Sequence, residues 1–115
     1  MSAACIFCSI AAGDMPATRL YEDEHVLAIR DIAPRAPTHI LLITRRHIPS
    51  ALDLTEADGP LLGRMFAVAA DLARSEGIAE DGYRLTSNVG RWGGQTVDHL
   101  HIHLMGGREF EWPPG

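Results

Sequence analysis

His99-Leu100-His101-Ile102-His103-Leu104 alternates imidazole and aliphatic side chains without a break. Successive side chains of a β-strand point to opposite faces, so this pattern predicts a strand with all three histidines on one face and the aliphatic residues on the other. The aliphatic face packs against the interior, which leaves the histidine face to line something polar. At a rise of ~3.4 Å per residue, neighbouring histidines have Cα atoms about 7 Å apart, close enough for all three to touch one small ligand or ion. Two chemistries suit that arrangement: three ligands of an open tetrahedral metal site, or a nucleophile flanked by its helpers.

The surrounding pattern places this strand, residues 98–105, at the end of a small sheet. Before it come a glycine-rich loop, residues 90–96, and another predicted strand, residues 83–89. Leu61, Leu62, Met65, Phe66, Ala69, Leu72 and Ala73 recur at three- and four-residue spacing, the stripe of an amphipathic helix that starts between Thr55 and Pro60 and ends at Gly77. Residues 38–44 carry the nearly continuous apolar run Ile40-Leu41-Leu42-Ile43, expected of a strand buried on both faces. Residues 19–22 and 25–31 read as a hairpin around Asp23-Glu24, and residues 6–12 as a short helix stopped by Gly13 and Pro16. The expected fold is α+β: a five-stranded antiparallel sheet with one long and one short helix, in a single domain over residues 1–115.

Composition narrows the function. The chain has 115 residues, a net charge of −5 and ten basic residues, every one an arginine. An acidic chain with scattered arginines is not expected to bind duplex nucleic acid, and the absence of lysine excludes Schiff-base chemistry and a P-loop lysine. No apolar run approaches the ~20 residues that a membrane helix needs, and residues 1–12 do not read as a secretory signal, so a cytoplasmic protein without a membrane partner is expected. Two cysteines are too few for a disulfide framework, and Cys5-x-x-Cys8 has the spacing that lets two thiolates grip one zinc ion. His25 reads as a surface residue.

Gly90-Arg91-Trp92-Gly93-Gly94-Gln95-Thr96 supplies the second functional signal. Glycines allow positive φ, in which successive backbone N–H groups can turn toward one centre and hold phosphoryl oxygens. A phosphate held there beside an imidazole suggests nucleophilic attack at phosphorus.

Together these residues resemble the histidine triad family. The triad itself, Gly93-Gly94-Gln95-Thr96, Asp31-Ile32, Pro37-Thr38-His39 and Gly106-Gly107-Arg108 fall where that family has its motifs, and Trp112-Pro113-Pro114-Gly115 resembles its Hint branch. The resemblance implies a homodimer with a joined ten-stranded sheet, and hydrolysis of purine nucleoside phosphoramidates with no cofactor in the chemistry. It implies His101 as the nucleophile, with its Nδ1 proton on the carbonyl of His99. His103 is expected to touch the phosphate, with His39 beside the nucleophile; either could pass a proton to the leaving amine. Asn88, Gly94, Gln95 and Thr96 are expected around the phosphoryl oxygens, Asp31 on the ribose hydroxyls, and Ile6, Phe7, Ile10, Ile29, Ile32 and Leu41 around the base.

An imidazole of ordinary pKa ~6.5 is already mostly neutral at pH 7, as a nucleophile must be. In relatives with the cysteine pair, His47 and His99 match the positions that complete a Cys2His2 structural zinc. Ile29 and Asp98 depart from the family pattern, the first where an aromatic residue is common and the second where an apolar or aromatic one is expected. Three rivals follow: a dinucleoside polyphosphate hydrolase of the same family, a zinc hydrolase using all three triad histidines, and a non-catalytic nucleotide-sensing scaffold dimer.

Overall fold

The computed structural model describes residues 5–115. Its elements are helix α1 (Ile6–Ala11), strands β1 (Arg19–Glu22), β2 (Val26–Arg30) and β3 (Thr38–Thr44), helix α2 (Gly59–Ser75), and strands β4 (Tyr83–Thr86) and β5 (His101–Gly106), with two short 3-10 turns before α2. The five strands form one sheet in the order β1-β2-β3-β5-β4, and every pairing is antiparallel.

β3 is the central strand because both of its faces are apolar, and all seven of its residues are buried. Ile40 and Leu42 point to one side, where Val26, Ala28, Ile102 and Leu104 join Met65, Val68, Ala69 and Leu72 of α2 in the larger core. Leu41 and Ile43 point to the other, against Leu27, Ile29 and the α1 residues Phe7 and Ile10. The register pairs His39 with Met105, Leu41 with His103 and Ile43 with His101, so the β5 histidines share the α1 side of the sheet with His39. That side is therefore half apolar slot and half imidazole.

α2 ends as its sequence predicts. Gly77 has a φ of 76°, its N–H donates to the Arg74 carbonyl, and the Ile78 N–H donates to that of Ala73, which closes the last turn and drops Ile78 into the core. At the other end, the Thr55 N–H donates to the Asp58 carboxylate just before Gly59 and Pro60 begin the helix.

Several elements differ from the sequence reading. β4 stops at Thr86, three residues short of the expected end, because the chain turns there into the glycine loop. β2 starts at Val26 and ends at Arg30, leaving His25 exposed in the turn and Asp31 just beyond the strand. Phe66 was expected in the core stripe of α2 but is 49% exposed, and Val68, outside the expected stripe, is buried. β5 begins at His101 and not at residue 98, because the Leu100 N–H donates to the Ile48 carbonyl before the ladder starts. His99 consequently leaves the strand alternation.

Candidate active site

His101 and His103 line a cleft of about 300 Å³. Its other walls include Ile6, Phe7 and Ile10 of α1, Ile29 of β2, Leu41 of β3, and Asp31, Ile32 and Thr96 from the connecting loops. All six expected slot residues are there, although Ile32 is a rim residue at 96% exposure. Met15, Pro16, Ala17 and Val97 also line the cleft from loops that carry no motif, as does Arg30 at the end of β2, and no pattern in the chain singles them out. A larger surface cleft of about 540 Å³ lies near the start of α2, but its arginines Arg46 and Arg64 are already paired with Asp58 and Asp23.

The hydrogen bonds of each ring decide which nitrogen is free. The Nδ1 atom of His101 lies 2.6 Å from the His99 carbonyl oxygen, an acceptor, so Nδ1 carries the proton and Nε2 keeps its lone pair. His39 is wired in the opposite sense. Its Nδ1 accepts the Arg35 backbone N–H at 2.9 Å, so its proton is on Nε2, which lies 2.9 Å from Nδ1 of His103 and 3.3 Å from the Asp31 carboxylate. His103 thus accepts at Nδ1 and carries its own proton on Nε2, on the far side of the ring from His39. Burial is the main reason that the pKa of His103 falls to about 4, with His101 and His39 lowering it further and Asp31 opposing. Burial also lowers His39, against the pull of Asp31. Both rings are neutral at pH 7.

His99 is not part of that cleft. It is fully buried, and its Nε2 lies 2.6 Å from the Thr44 carbonyl, which fixes the proton there and turns the Nδ1 lone pair the other way. That lone pair lies 3.3 Å from Cys5 Sγ, 3.5 Å from Cys8 Sγ and 3.2 Å from His47 Nδ1, and Cys8 Sγ lies 3.2 Å from the same His47 atom. A tetrahedral ion bound by two sulfurs and two imidazoles separates neighbouring donors by roughly 3.3–3.8 Å, a range that these four distances approach to within about 0.4 Å, and all four donor atoms lie within 4.8 Å of one another. Burial lowers the pKa of His99, which keeps the ring neutral as a ligand must be. The four expected metal ligands are therefore together and could hold a metal ion.

Asp31, His39 and His103 also bring three donor atoms close together. They do not fit a metal: His39 Nδ1 already accepts an N–H, so a metal on Nε2 would require an imidazolate. Nor do the three triad histidines share one ion, since His99 belongs to the cysteine cluster and His101 to neither group among the described residues. The expectation that all three touch one ligand is corrected accordingly.

The glycine loop also differs from its expected form. With Gly90 at φ 72° and Gly94 at φ 82°, it closes on itself: the Gly93 N–H donates to Gly90, Gly94 to Arg91 and Gln95 to Gly90. Those N–H groups are used within the turn and do not form an open phosphate nest. Asn88 Nδ2 donates to the Gly93 carbonyl, while the Gln95 side chain accepts the Gly90 N–H and donates to the Pro49 and Val97 carbonyls. Asn88, Gly94 and Gln95 thus shape the loop, and of the expected loop contacts only Thr96 lines the cleft. Gly93 is obligatory, since a Cβ there would lie 2.2 Å from the Val89 oxygen.

A family model for the HIT domain matches residues 12–110. The chain belongs to the HIT domain family. Among its relatives within that family is the purine nucleoside phosphoramidase of Escherichia coli K12, 50% identical over 108 residues that cover 94% of this chain and 91% of the relative. An uncharacterized HIT-like protein of Synechococcus elongatus is 48% identical over the full length of both chains. The crystal structure of a HIT family hydrolase from Legionella pneumophila superposes with a TM-score of 0.95 at 50% identity, covering 96% of this chain and 99% of that one. A histidine triad protein from Clostridium difficile gives 0.92 at 37% identity, covering 96% of each chain. No helix among the described residues of this HIT domain is long and apolar enough to cross a membrane.

Proposed function

We propose that this HIT-family chain is a hydrolase that cleaves the P–N bond of purine nucleoside 5′-phosphoramidates through a nucleotidyl-His101 intermediate. The observation that carries the reading is the 2.6 Å contact of His101 Nδ1 with the His99 carbonyl, in a ring that lines the cleft. It presents an unprotonated Nε2 to the cleft and stabilises the positive charge that develops on the ring as Nε2 attacks. The 50% identity to a purine nucleoside phosphoramidase supports the choice of substrate class.

The purine occupies the apolar slot between α1, Ile29 and Leu41, and one oxygen of Asp31 receives ribose hydroxyls. Asp31 Oδ1 is already held by the Ala33 N–H, which orients the carboxylate. In the first step Nε2 of His101 bonds to phosphorus and the P–N bond breaks. The departing nitrogen gains a proton relayed from solvent; in the second step water attacks phosphorus, the bond between phosphorus and Nε2 of His101 breaks, and the proton that the water loses returns to solvent. His103, with Nε2–H turned away from His39, donates to a phosphoryl oxygen or the leaving nitrogen. His39 does not line the cleft, and its part is to hold that tautomer. This ranks two histidines that the sequence left equivalent.

Cys5, Cys8, His47 and His99 would hold a structural zinc, whose chemistry is to cross-link α1 to the sheet and which takes no part in the reaction. Thiols of this kind persist in a reducing compartment, in keeping with a cytoplasmic location. The homodimer belongs to the same reading: β1 and β4 each have an outer edge that no described strand covers, and joining one of them to its copy makes a ten-stranded sheet.

The test is steady-state amine release from a fluorogenic adenosine 5′-phosphoramidate by the wild type and His101→Ala at matched zinc content. A loss of at least about 10³-fold in kcat is expected for the variant. Comparable rates would exclude His101 as the nucleophile.

A further inference from the structure

Phe7 stands between the cysteines of the metal cluster, in the helix that walls the cleft. Its ring is buried and meets two triad histidines edge-on: His99, a cluster residue, at 5.9 Å between centroids, and His101 at 5.0 Å. One side chain therefore touches both centres.

α1 has only six residues, too few to be stable by itself, so its position depends on what holds each end. At its carboxyl end the Ile10 carbonyl accepts from Arg19, and Arg45 Nη1 donates to the Ala11 carbonyl at 3.0 Å. At its amino end Cys5 is the cap, and its sulfur accepts the Cys8 N–H at 3.4 Å, longer than the side-chain oxygen caps that usually begin helices. Besides the packing of Phe7, this end meets the rest of the fold through the same two sulfurs, facing His47 and His99. An ion joining them would pin the amino end of α1, and with it Ile6 and Phe7, against β5.

We propose that Phe7 is a positioning residue that couples the Cys5–Cys8–His47–His99 cluster to the nucleotide cleft, so that occupancy of the cluster sets nucleotide affinity and the placement of the His101 ring. The proposal rests on the nucleotide reading above for its ligand, though not for its effect on His101. His99 offers a second route, through its carbonyl on His101 Nδ1, and the experiment separates the two.

Binding of adenosine 5′-monophosphate is measured by calorimetry for the full chain loaded with zinc and after removal by a chelator, in the wild type and in Phe7→Leu, with metal content determined for each. The ring ¹⁵N and ¹H resonances of His101 are recorded in the same four samples without nucleotide. The proposal expects metal removal to weaken binding at least tenfold and to shift the His101 resonances in the wild type. In Phe7→Leu it expects less than a threefold change and little shift. Equal affinity of the loaded and stripped wild type would overturn it, as would a full tenfold effect surviving in Phe7→Leu, which would assign the coupling to His99 alone. If the nucleotide binds no form, the nucleotide reading fails, and the His101 resonances alone decide the coupling by the same criterion. Should Phe7→Leu not fold, Phe7→Met makes the comparison with a more adaptable side chain.

Discussion

Just before β5, His99 donates its Nε2–H to the Thr44 carbonyl and turns an Nδ1 lone pair toward two sulfurs and His47. At the start of β3, His39 takes the Arg35 N–H on Nδ1 and turns an Nε2 proton toward His103 and Asp31. Both rings are buried and lie near other imidazoles, and both clusters bring together donor atoms that a metal ion accepts. Their backbone partners differ, a carbonyl in one case and an N–H in the other, and so do their neighbours, two sulfurs beside the first ring and a carboxylate beside the second. The backbone partner leaves the first ring an unprotonated nitrogen within a cluster that could hold a metal ion, and gives the second a proton aimed at His103 and Asp31.

Removing the thiols should produce the largest change in stability. The Cys5→Ser, Cys8→Ser double variant is expected to lose bound zinc, read by elemental analysis. Its unfolding free energy in zinc buffered at 1,000 times the wild type's Kd should fall by about 4 kcal/mol relative to the wild type. Chelation of the wild type should match that loss, whereas an unchanged metal content would move the ion to another site and break the contrast between the clusters.

A smaller effect is expected at the relay. His39→Gln can accept from Arg35 or donate to His103, but its flexible amide does not hold both in one plane. The kcat should fall by roughly 10- to 100-fold, no more than the lower limit for loss of a general acid–base group because His39 acts only through His103, with KM and zinc content unchanged. A loss of zinc in that variant would show that the two clusters are not separately wired.

A third effect concerns pH. The pKa of His103 is held down to about 4 in the folded state by burial and neighbouring rings, while the unfolded chain has an ordinary histidine near 6.5. Between those values the unfolded chain binds more protons, so stability should decline as pH falls from about 6.5 to about 4 and gain nothing further from this group above 6.5. Urea melts of the wild type and His103→Asn across that window measure it, and equal slopes for the two would remove His103 as the source.

What was legible in the sequence follows the same division between side chain and backbone. The double-faced burial of Ile40 to Ile43, the end of α2 at Gly77 and the slot residues Ile6, Phe7, Ile10, Ile29 and Leu41 were readable because they depend on periodicity, a glycine at positive φ and motif position. The exclusion of His99 from the strand was not, because it depends on Leu100 donating to the distant Ile48 carbonyl. Likewise the glycines of residues 90–94 allowed a nest or a closed turn, and tertiary bonds from Asn88 and Gln95 chose the turn. Arg35 and Thr44 help set the roles of the histidines through main-chain atoms, which no side-chain pattern reveals.

The claim that backbone partners assign these roles is tested most directly by long-range ¹H–¹⁵N correlation spectra of the histidine rings at pH 7. The account predicts the proton on Nδ1 of His101 and on Nε2 of His39, His99 and His103. A proton on Nδ1 of His39 or His103, or on Nε2 of His101, would contradict it.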